Sequence, residues 1–293
     1  MSRPPKRIHA ALQWGAQQLA NTGQRPDQQA RWLLAEVCGQ STTSLLVQGD
    51  TTLSEANRTA FATLIARRKS GEPLQHVLGH TEFYGLRLAV NEDVLVPRPE
   101  TEIVVEKGLE LIAGCAAPRV FDAGTGSGCI ACAIKHEHPS AEVAAGDVSE
   151  AALRVARQNA SALQLDIDWV HFDMAAPDAA TKAPTDLDLL ISNPPYIPDS
   201  EADTLDPVVR NYDPPEALFA GDDALHFYRA LADWGRDVVK PGGYLLVETH
   251  DEGATAVAEL FRAHGWTNVD WARDLADRPR MVWGQPPPVA SSL

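Results

Sequence analysis

The sequence predicts an α/β protein. Its core is a Rossmann-like, seven-stranded, mostly parallel sheet, preceded by an N-terminal helical bundle and a β-hairpin linker. Three observations predict this. From Val120 onward, short apolar runs alternate with amphipathic helical stretches, the pattern of a parallel sheet covered on both faces. Val120-Phe121-Asp122-Ala123-Gly124-Thr125-Gly126-Ser127-Gly128 reads as a strand entering a Gly-rich turn and then a helix. The apolar run Leu187 to Ile191 stops at Asn193-Pro194-Pro195-Tyr196. Two prolines lack the N–H groups that a ladder needs, so the chain must leave the sheet there in a stiff, extended form.

Residues 1–75 read as helical, without a catalytic cluster. Ile8 to Leu19 is amphipathic and stops near Asn21-Thr22-Gly23; Pro26-Asp27 opens a second helix with Ala30, Leu33, Leu34 and Val37 on one face. Ser41 to Leu46 is a short helical segment, Ser54 caps a longer helix that runs to Lys69, and Gly71-Glu72-Pro73 closes the bundle. Residues 76–98 are the linker, a hairpin that sets Phe83 to Val90 against Val94-Leu95-Val96. Pro99 opens the next helix, with Glu100 and Glu102 at its positive end. The catalytic domain spans 99–285, with strands near 119–123, 142–147, 168–172, 187–192, 243–249, 268–273 and 280–284. Its remaining helices fall near 128–137, 149–162, 223–239 and 252–264, and residues 286–293 are expected to be a disordered tail.

The net charge of -15 is unevenly spread: residues 1–75 hold 9 Lys and Arg against 5 Asp and Glu, and the remainder 16 against 35. An acidic catalytic half disfavours broad contact with nucleic acid phosphates. No run is long and apolar enough for a membrane span, and the basic N-terminus has no apolar segment behind it, so neither a membrane anchor nor a secretory signal is expected. Cys38, Cys115, Cys129 and Cys132 read as reduced thiols. Cys129-x-x-Cys132 has metal spacing but no second pair, and its place at the apolar start of a helix favours packing; no metal is expected.

The chemistry is read from four places. The Asn193 side-chain oxygen and the Pro194 carbonyl are acceptors that can hold both hydrogens of a planar –NH2 group. Pro195 stiffens the loop, and Tyr196 offers an aromatic face. In the turn, a dinucleotide fingerprint would place its third glycine one position later, and Asp122 is awkward beside a pyrophosphate; a cationic ligand suits it better. Asp147, ending the next strand, is placed to accept from two ribose hydroxyls. Asp173 and Met174 after the third strand can hold an exocyclic amine and cover an adenine ring, the plain alternative for Asp173 being a turn. Together these point to S-adenosylmethionine, with the turn (Gly124, Thr125, Gly126, Ser127, Gly128) at its methionine part and Asn193 on the far side of the methyl group. Arg98, between two prolines, is a candidate substrate contact or a plain helix-start residue.

On these residues the chain resembles the HemK/PrmC family of protein-(glutamine-N5) methyltransferases. Those enzymes modify the glutamine of the Gly-Gly-Gln motif in class 1 peptide chain release factors. The resemblance covers nearly the whole chain. It rests on Glu82-Phe83-Tyr84-Gly85-Leu86, Val96-Pro97-Arg98-Pro99-Glu100-Thr101-Glu102, the Gly-rich turn, Asn193-Pro194-Pro195-Tyr196, Val209-Arg210-Asn211-Tyr212-Asp213-Pro214, Pro241-Gly242-Gly243, and Asp274-Leu275 with Arg278. It departs at Ala123, where the family usually has Leu, at Met174, where an aromatic is common, and in the acidic segment after Glu248. The resemblance implies a class I methyltransferase fold and a cytoplasmic, monomeric enzyme of the bacterial or organellar type. It also implies that the helical bundle docks the release factor. Lone histidines such as His136 and His250 are not needed as bases, because a methylated amide loses its proton to water. The rival reading is an adenine-N6 methyltransferase acting on DNA or RNA, whose flipped base would stack on Tyr196. A non-catalytic cofactor-binding protein is a third.

Overall fold

The computed structural model describes residues 3–22, 25–274 and 276–288. Gly23 of the first helix stop, Leu275, and tail residues 289–293 lie outside the described residues. The chain divides into two compact units, Met1–His80 and Thr81–Leu293.

The first unit contains α1 (Ile8–Gln18), α2 (Pro26–Cys38), α3 (Thr42–Val47), α4 (Glu55–Lys69) and α5 (Leu74–Leu78). Leu33, Leu34, Phe61 and Ile65 have no exposed surface and belong to one apolar cluster. Gly15 lets α1 approach α4, since a Cβ there would stand 2.8 Å from Phe61 Cζ. Ser54 caps α4 as its sequence position predicts, its Oγ accepting from Asn57 N at 3.1 Å. The extra helix α5 follows Pro73, where the sequence reading saw only the end of the bundle. Arg67 Nη2 donates to His76 O at 3.1 Å and Arg68 Nη1 to Glu72 O at 3.0 Å, which anchors this additional turn.

The second unit opens with the hairpin β1 (His80–Phe83) and β2 (Leu86–Ala89). The expected pairing of residues 83–90 with 94–96 does not form. Tyr84 and Gly85, with φ of 49° and 74°, make a two-residue turn, and residues 94–96 belong to no strand. Tyr84 N donates to Glu102 Oε1 at 2.7 Å, fastening that turn to the start of α6 (Pro99–Ile112). The other end is held by Asn159. Its Oδ1 accepts from Ala89 N at 2.7 Å and its Nδ2 donates to Ala89 O at 3.1 Å and Ser127 O at 2.9 Å.

The sheet is built from β3 (Arg119–Ala123), β4 (Glu142–Asp147), β5 (Asp168–His171), β6 (Leu187–Ser192), β7 (Val239–Glu248), β8 (Thr267–Arg273) and β9 (Pro279–Gln285). Between them run α7 (Cys129–Glu137), α8 (Glu150–Ala162), α9 (Ala179–Lys182), α10 (Pro207–Tyr212), α11 (Pro215–Leu218), α12 (His226–Val238) and α13 (Ala254–Ala263). The strand order is β5-β4-β3-β6-β7-β9-β8. Strands β3 to β7 pair in parallel, and β9 runs antiparallel to both β7 and β8. Every residue of β6 is buried, so its apolar residues Leu187, Leu189, Leu190 and Ile191 do not alternate with exposed ones, and buried Asp188 is satisfied by Arg119 N and Lys240. The order reverses between β3 and β6, so their carboxyl ends part and leave a crevice. Ser192 Oγ donates to Ala123 O at 2.6 Å across this point.

Strand β7 starts four residues before the predicted position, and Pro241-Gly242-Gly243 lies within it. The register against β6 shifts there, from Leu187–Val239 to Leu189–Tyr244. Gly243 is required by the close approach: a Cβ would sit 2.5 Å from Leu187 O and 3.1 Å from Asp188 O, backbone atoms that cannot swing aside. Gly243→Ala should therefore destabilise the fold by about 1–3 kcal/mol, measured as a lower urea midpoint; an unchanged midpoint would show that the bulge absorbs the methyl group.

Candidate active site

At the parted ends of β3 and β6 lies an open cleft. The Gly-rich turn contributes Gly124, Thr125, Gly126 and Ser127, and the end of β4 contributes Asp147. Asp173 and Met174 line it after β5, and Asn193 and Pro195 after β6. The structure thus brings together nine of the residues nominated from sequence.

The turn spends its own amides. Gly124 N and Thr125 N donate to Gly146 O at 2.8 and 3.0 Å, Gly126 N to Asp147 Oδ2 at 2.8 Å, and Gly128 N to Thr125 O at 2.9 Å. A pyrophosphate site needs such N–H groups pointing at the ligand. Here four of them are already satisfied. The glycines serve conformation and space instead: Gly124 has φ 77°, and a Cβ on it would stand 2.6 Å from Met174 Cε. Acidic groups face the same cleft, with Asp147, Asp173, Glu216 and Asp93 in its wall. That field repels a polyphosphate and favours a ligand carrying positive charge.

Asp147 is held at both oxygens, Oδ2 by Gly126 N and Oδ1 by Ser149 N at 2.9 Å. Burial raises its pKa, and these two amides oppose the rise. An orientation fixed by backbone leaves the remaining lone pairs for two hydroxyls of a ribose. Asp173 makes the turn that its sequence allowed, its Oδ1 accepting from Ala175 N at 2.8 Å, and it still borders the cleft. Met174 is buried on the same wall, its carbonyl accepting from Trp234 Nε1 at 3.0 Å. The residues fit S-adenosylmethionine: a cradle free of side chains, a fixed ribose acceptor, an apolar adenine wall and an acidic surround.

Five nominated residues do not line the cleft: Asp122, Gly128, Pro194, Tyr196 and Arg98. Asp122, expected to face the ligand, is fully buried beneath the turn, where its Oδ2 accepts from Thr125 Oγ1 at 2.6 Å. It shapes the turn from behind. Gly128 starts α7, and a Cβ there would come within 3.0 Å of Ala156 Cβ. Tyr196 packs against the core with its ring centroid 6.1 Å from that of His250. Burial lifts its phenol to about 12, so it remains protonated. Arg98 Nη2 pairs with Asp213 Oδ2 at 2.7 Å, and the Asp213 side chain is only 3% exposed. Arg98, the N-cap residue of α6, thereby fastens the segment between β6 and α12. That segment contains a 3-10 helix (Asp199–Thr204), α10 and α11. Cys129 and Cys132 are free, buried thiols in α7, and burial pushes Cys132 up to about 12.

Sequence reasoning missed Thr101, which lines the cleft and accepts from Asn193 Nδ2 at 3.3 Å. It also missed Pro97, Val94 and Leu95, which follow the hairpin, and Phe227 of α12. The Val96-to-Glu102 motif was the available signal, since it contains both Pro97 and Thr101.

The fold and cleft are those of a class I S-adenosylmethionine-dependent methyltransferase. The catalytic domain of hMettl16, solved in complex with the MAT2A 3'UTR hairpin 6, shares the fold with a TM-score of 0.54, covering 80% of this chain and 84% of that one at 16% identity. Residues 104–210 match the family model "Methyltransferase small domain" and residues 10–79 match "PrmC N-terminal domain". The release factor glutamine methyltransferase of Geobacter sulfurreducens is 35% identical over 279 residues, 95% of this chain and 96% of that protein. That of Bradyrhizobium diazoefficiens is 41% identical over 258 residues, 86% of each chain. The chain belongs to the release factor glutamine methyltransferase family, HemK/PrmC.

Burial raises the Asp122 carboxyl from 3.8 to about 7. The folded state then holds a proton that the unfolded chain has released, so this group's contribution to stability falls as pH rises from about 4 to about 7, by roughly 1.4 kcal/mol per unit of pKa difference. Asp122→Asn, which keeps an acceptor for Thr125, should flatten the decline in thermal midpoint of the ligand-free protein over that window. Glu248, raised to about 7 by its own burial, leaves a residual slope of the same sign. An identical pH dependence in the variant would contradict this assignment.

Proposed function

We propose that this protein transfers the methyl group of S-adenosylmethionine to the side-chain amide N5 of the glutamine in the Gly-Gly-Gln motif of class 1 peptide chain release factors. The observation that carries the reading is the placement of Asn193. Its Nδ2 is tied to Thr101, which leaves Oδ1 as the acceptor end of a carboxamide on the cleft wall. Oδ1 would accept one N–H bond of the glutamine amide; the carbonyl of Pro194, a buried residue that is not part of the cleft lining, is the proposed acceptor of the other.

The cofactor supplies a methyl group activated by a sulfonium charge. The protein's own part is placement. Asp147 receives the ribose hydroxyls, Met174 and Asp173 border the adenine, and the Gly124-to-Ser127 turn accommodates the methionine part. An amide nitrogen is a poor nucleophile because its lone pair is delocalised. Accepting both of its N–H bonds raises electron density on nitrogen and aims it. Positioning of this kind supplies about 7–11 kcal/mol, and acceptors facing a nitrogen that becomes positive add to it. The product amide gives its proton to water, so no buried base is used.

In this reading the basic, helical residues 1–75 dock the release factor, 76–98 link, and 99–285 catalyse, in a cytoplasmic monomer. The alternative of adenine-N6 methylation of DNA or RNA is disfavoured by the acidic wall of the cleft.

The direct test is transfer of labelled methyl to a purified class 1 release factor, beside a control carrying Ala for the Gly-Gly-Gln glutamine. Label in the first and none in the second is expected. Label in both, or only in nucleic acid, would overturn the reading. Asn193→Ala should keep cofactor affinity and lose about 100-fold or more in turnover, as when one key polar contact to the transition state is removed. Unchanged turnover would sink the mechanism.

A further inference from the structure

The chain that leaves β6 makes a long excursion before it enters α12. Backbone closes the base of this excursion: Ile197 N donates to Leu218 O at 3.1 Å, Ala220 N to Ile197 O at 2.9 Å, and Asp199 N to Gly221 O at 2.9 Å. Beyond that base there is no apolar anchorage. Neither the 3-10 helix nor α10 contains a buried residue, and none of residues 198–212 is buried. A segment with so little buried surface opens easily unless something else holds it. The first buried residue past Pro198 is a charged one, Asp213, and its Oδ2 accepts from Arg98 Nη2 at 2.7 Å.

The two partners stand at the edges of two cleft walls. Pro97 and Thr101 on either side of Arg98 line the cleft, and so do Pro214, Glu216 and Ala217, which follow Asp213. Arg98 is a stiff post. It lies between Pro97 and Pro99 at the N-cap of α6, a helix anchored by fully buried Val104 and Val105. We propose that the Arg98–Asp213 ion pair is a clasp that holds Pro214, Glu216 and Ala217 in place as a wall of the S-adenosylmethionine cleft. Arg98 and Asp213 are then positioning residues for the cofactor, although neither lines the cleft. The inference concerns the cofactor site and holds whichever acceptor is methylated.

The physical asymmetry of the pair suits this role. The Asp213 side chain is 3% exposed and that of Arg98 41%. Charge-assisted bonds of this kind are stronger than neutral ones. Taking a cation away from a buried carboxylate drives that carboxylate toward water. Pro214 to Ala217 follow directly in the chain and would move with it.

The test uses the full-length protein as Arg98→Gln, Arg98→Lys, Asp213→Asn and the double variant Arg98→Gln with Asp213→Asn. Charge alone would give opposite results: loss of Arg98 makes an acidic cleft more attractive to the sulfonium cation, and loss of the Asp213 charge makes it less so. A clasp gives the same result for both. Each single variant should release S-adenosylmethionine, and also uncharged-sulfur S-adenosylhomocysteine, about 10-fold faster, the scale of one lost bond to a charged group. The double variant should do no worse than the weaker single, since the pair can be lost only once. Arg98→Lys, which keeps the charge without the planar fork, should fall between wild type and Arg98→Gln. In the cofactor-free protein the amides of Asp213 and Ala217 donate to Val209 O and Pro214 O, each at 3.0 Å. Their hydrogen exchange should be about 10-fold faster in Arg98→Gln, as a local opening that leaves the sheet intact. Opposite shifts of S-adenosylmethionine release in the two single variants would overturn the proposal, as would additive losses in the double variant. Wild-type release and exchange in Arg98→Gln would do the same. If Asp213→Asn fails to fold, Arg98→Gln decides, because its release rate and its exchange are read without the second variant.

Discussion

The structure depends on the parting of β3 and β6. Both strands run parallel through the centre of the sheet, and beyond Ala123 and Ser192 their chains must separate. The Ser192 hydroxyl bonded to Ala123 O holds the ends together up to that point. Past it, the β3 chain turns through Gly124 toward α7, and the β6 chain is prevented from pairing by Pro194 and Pro195. The cleft is the space between these two departures. Gly124 to Ser127, Asp147, Asp173, Met174, Asn193 and Pro195 all reach the cleft where their chain leaves the sheet.

Around that gap the protein spends polar groups on fixing other polar groups. Gly146 O occupies two turn amides, Asp147 takes a third while being pinned by Ser149, and Asp122 holds Thr125 from beneath. The result is a turn whose shape is set and whose amides are not offered to an anion. This distinguishes it physically from a dinucleotide site built on the same strand-turn-helix outline. Asn159 ties the end of the hairpin to Ser127, and Glu102 ties its tip to α6. The hairpin is thus part of the second unit's frame, and the chain just beyond it reaches the cleft at Val94, Leu95 and Pro97.

Much of this was legible in one dimension. Strands β3, β4 and β6 fall on the expected 119–123, 142–147 and 187–192, and Ser54 caps α4 at its start. Where the reading missed, the cause is specific. The hairpin turn fell at Tyr84-Gly85 because a hydrogen bond from a helix 18 residues away supports a left-handed Tyr84. Strand β7 extended back through Pro241-Gly242-Gly243 because a register shift against β6 accommodates a sequence that otherwise reads as a turn. Asp122 looked like a ligand contact because sequence gives position along the strand and not which side of the turn the carboxylate takes.

By itself the sequence determined the fold class, the order of the seven sheet strands along the chain, and the residue types that could hold a nucleoside and a primary amide. These follow from local periodicity, glycine and proline stereochemistry, and donor–acceptor chemistry, all carried by neighbours in the chain. The tertiary structure decided which of those residues reach the cleft and which stand behind it. It paired Arg98 with Asp213, 115 positions apart, and set Thr101 against Asn193, 92 positions apart. Burial also made weak acids of Asp122 and Glu248. Those outcomes depend on desolvation and on contacts between distant elements, and neither is encoded in any local stretch of residues.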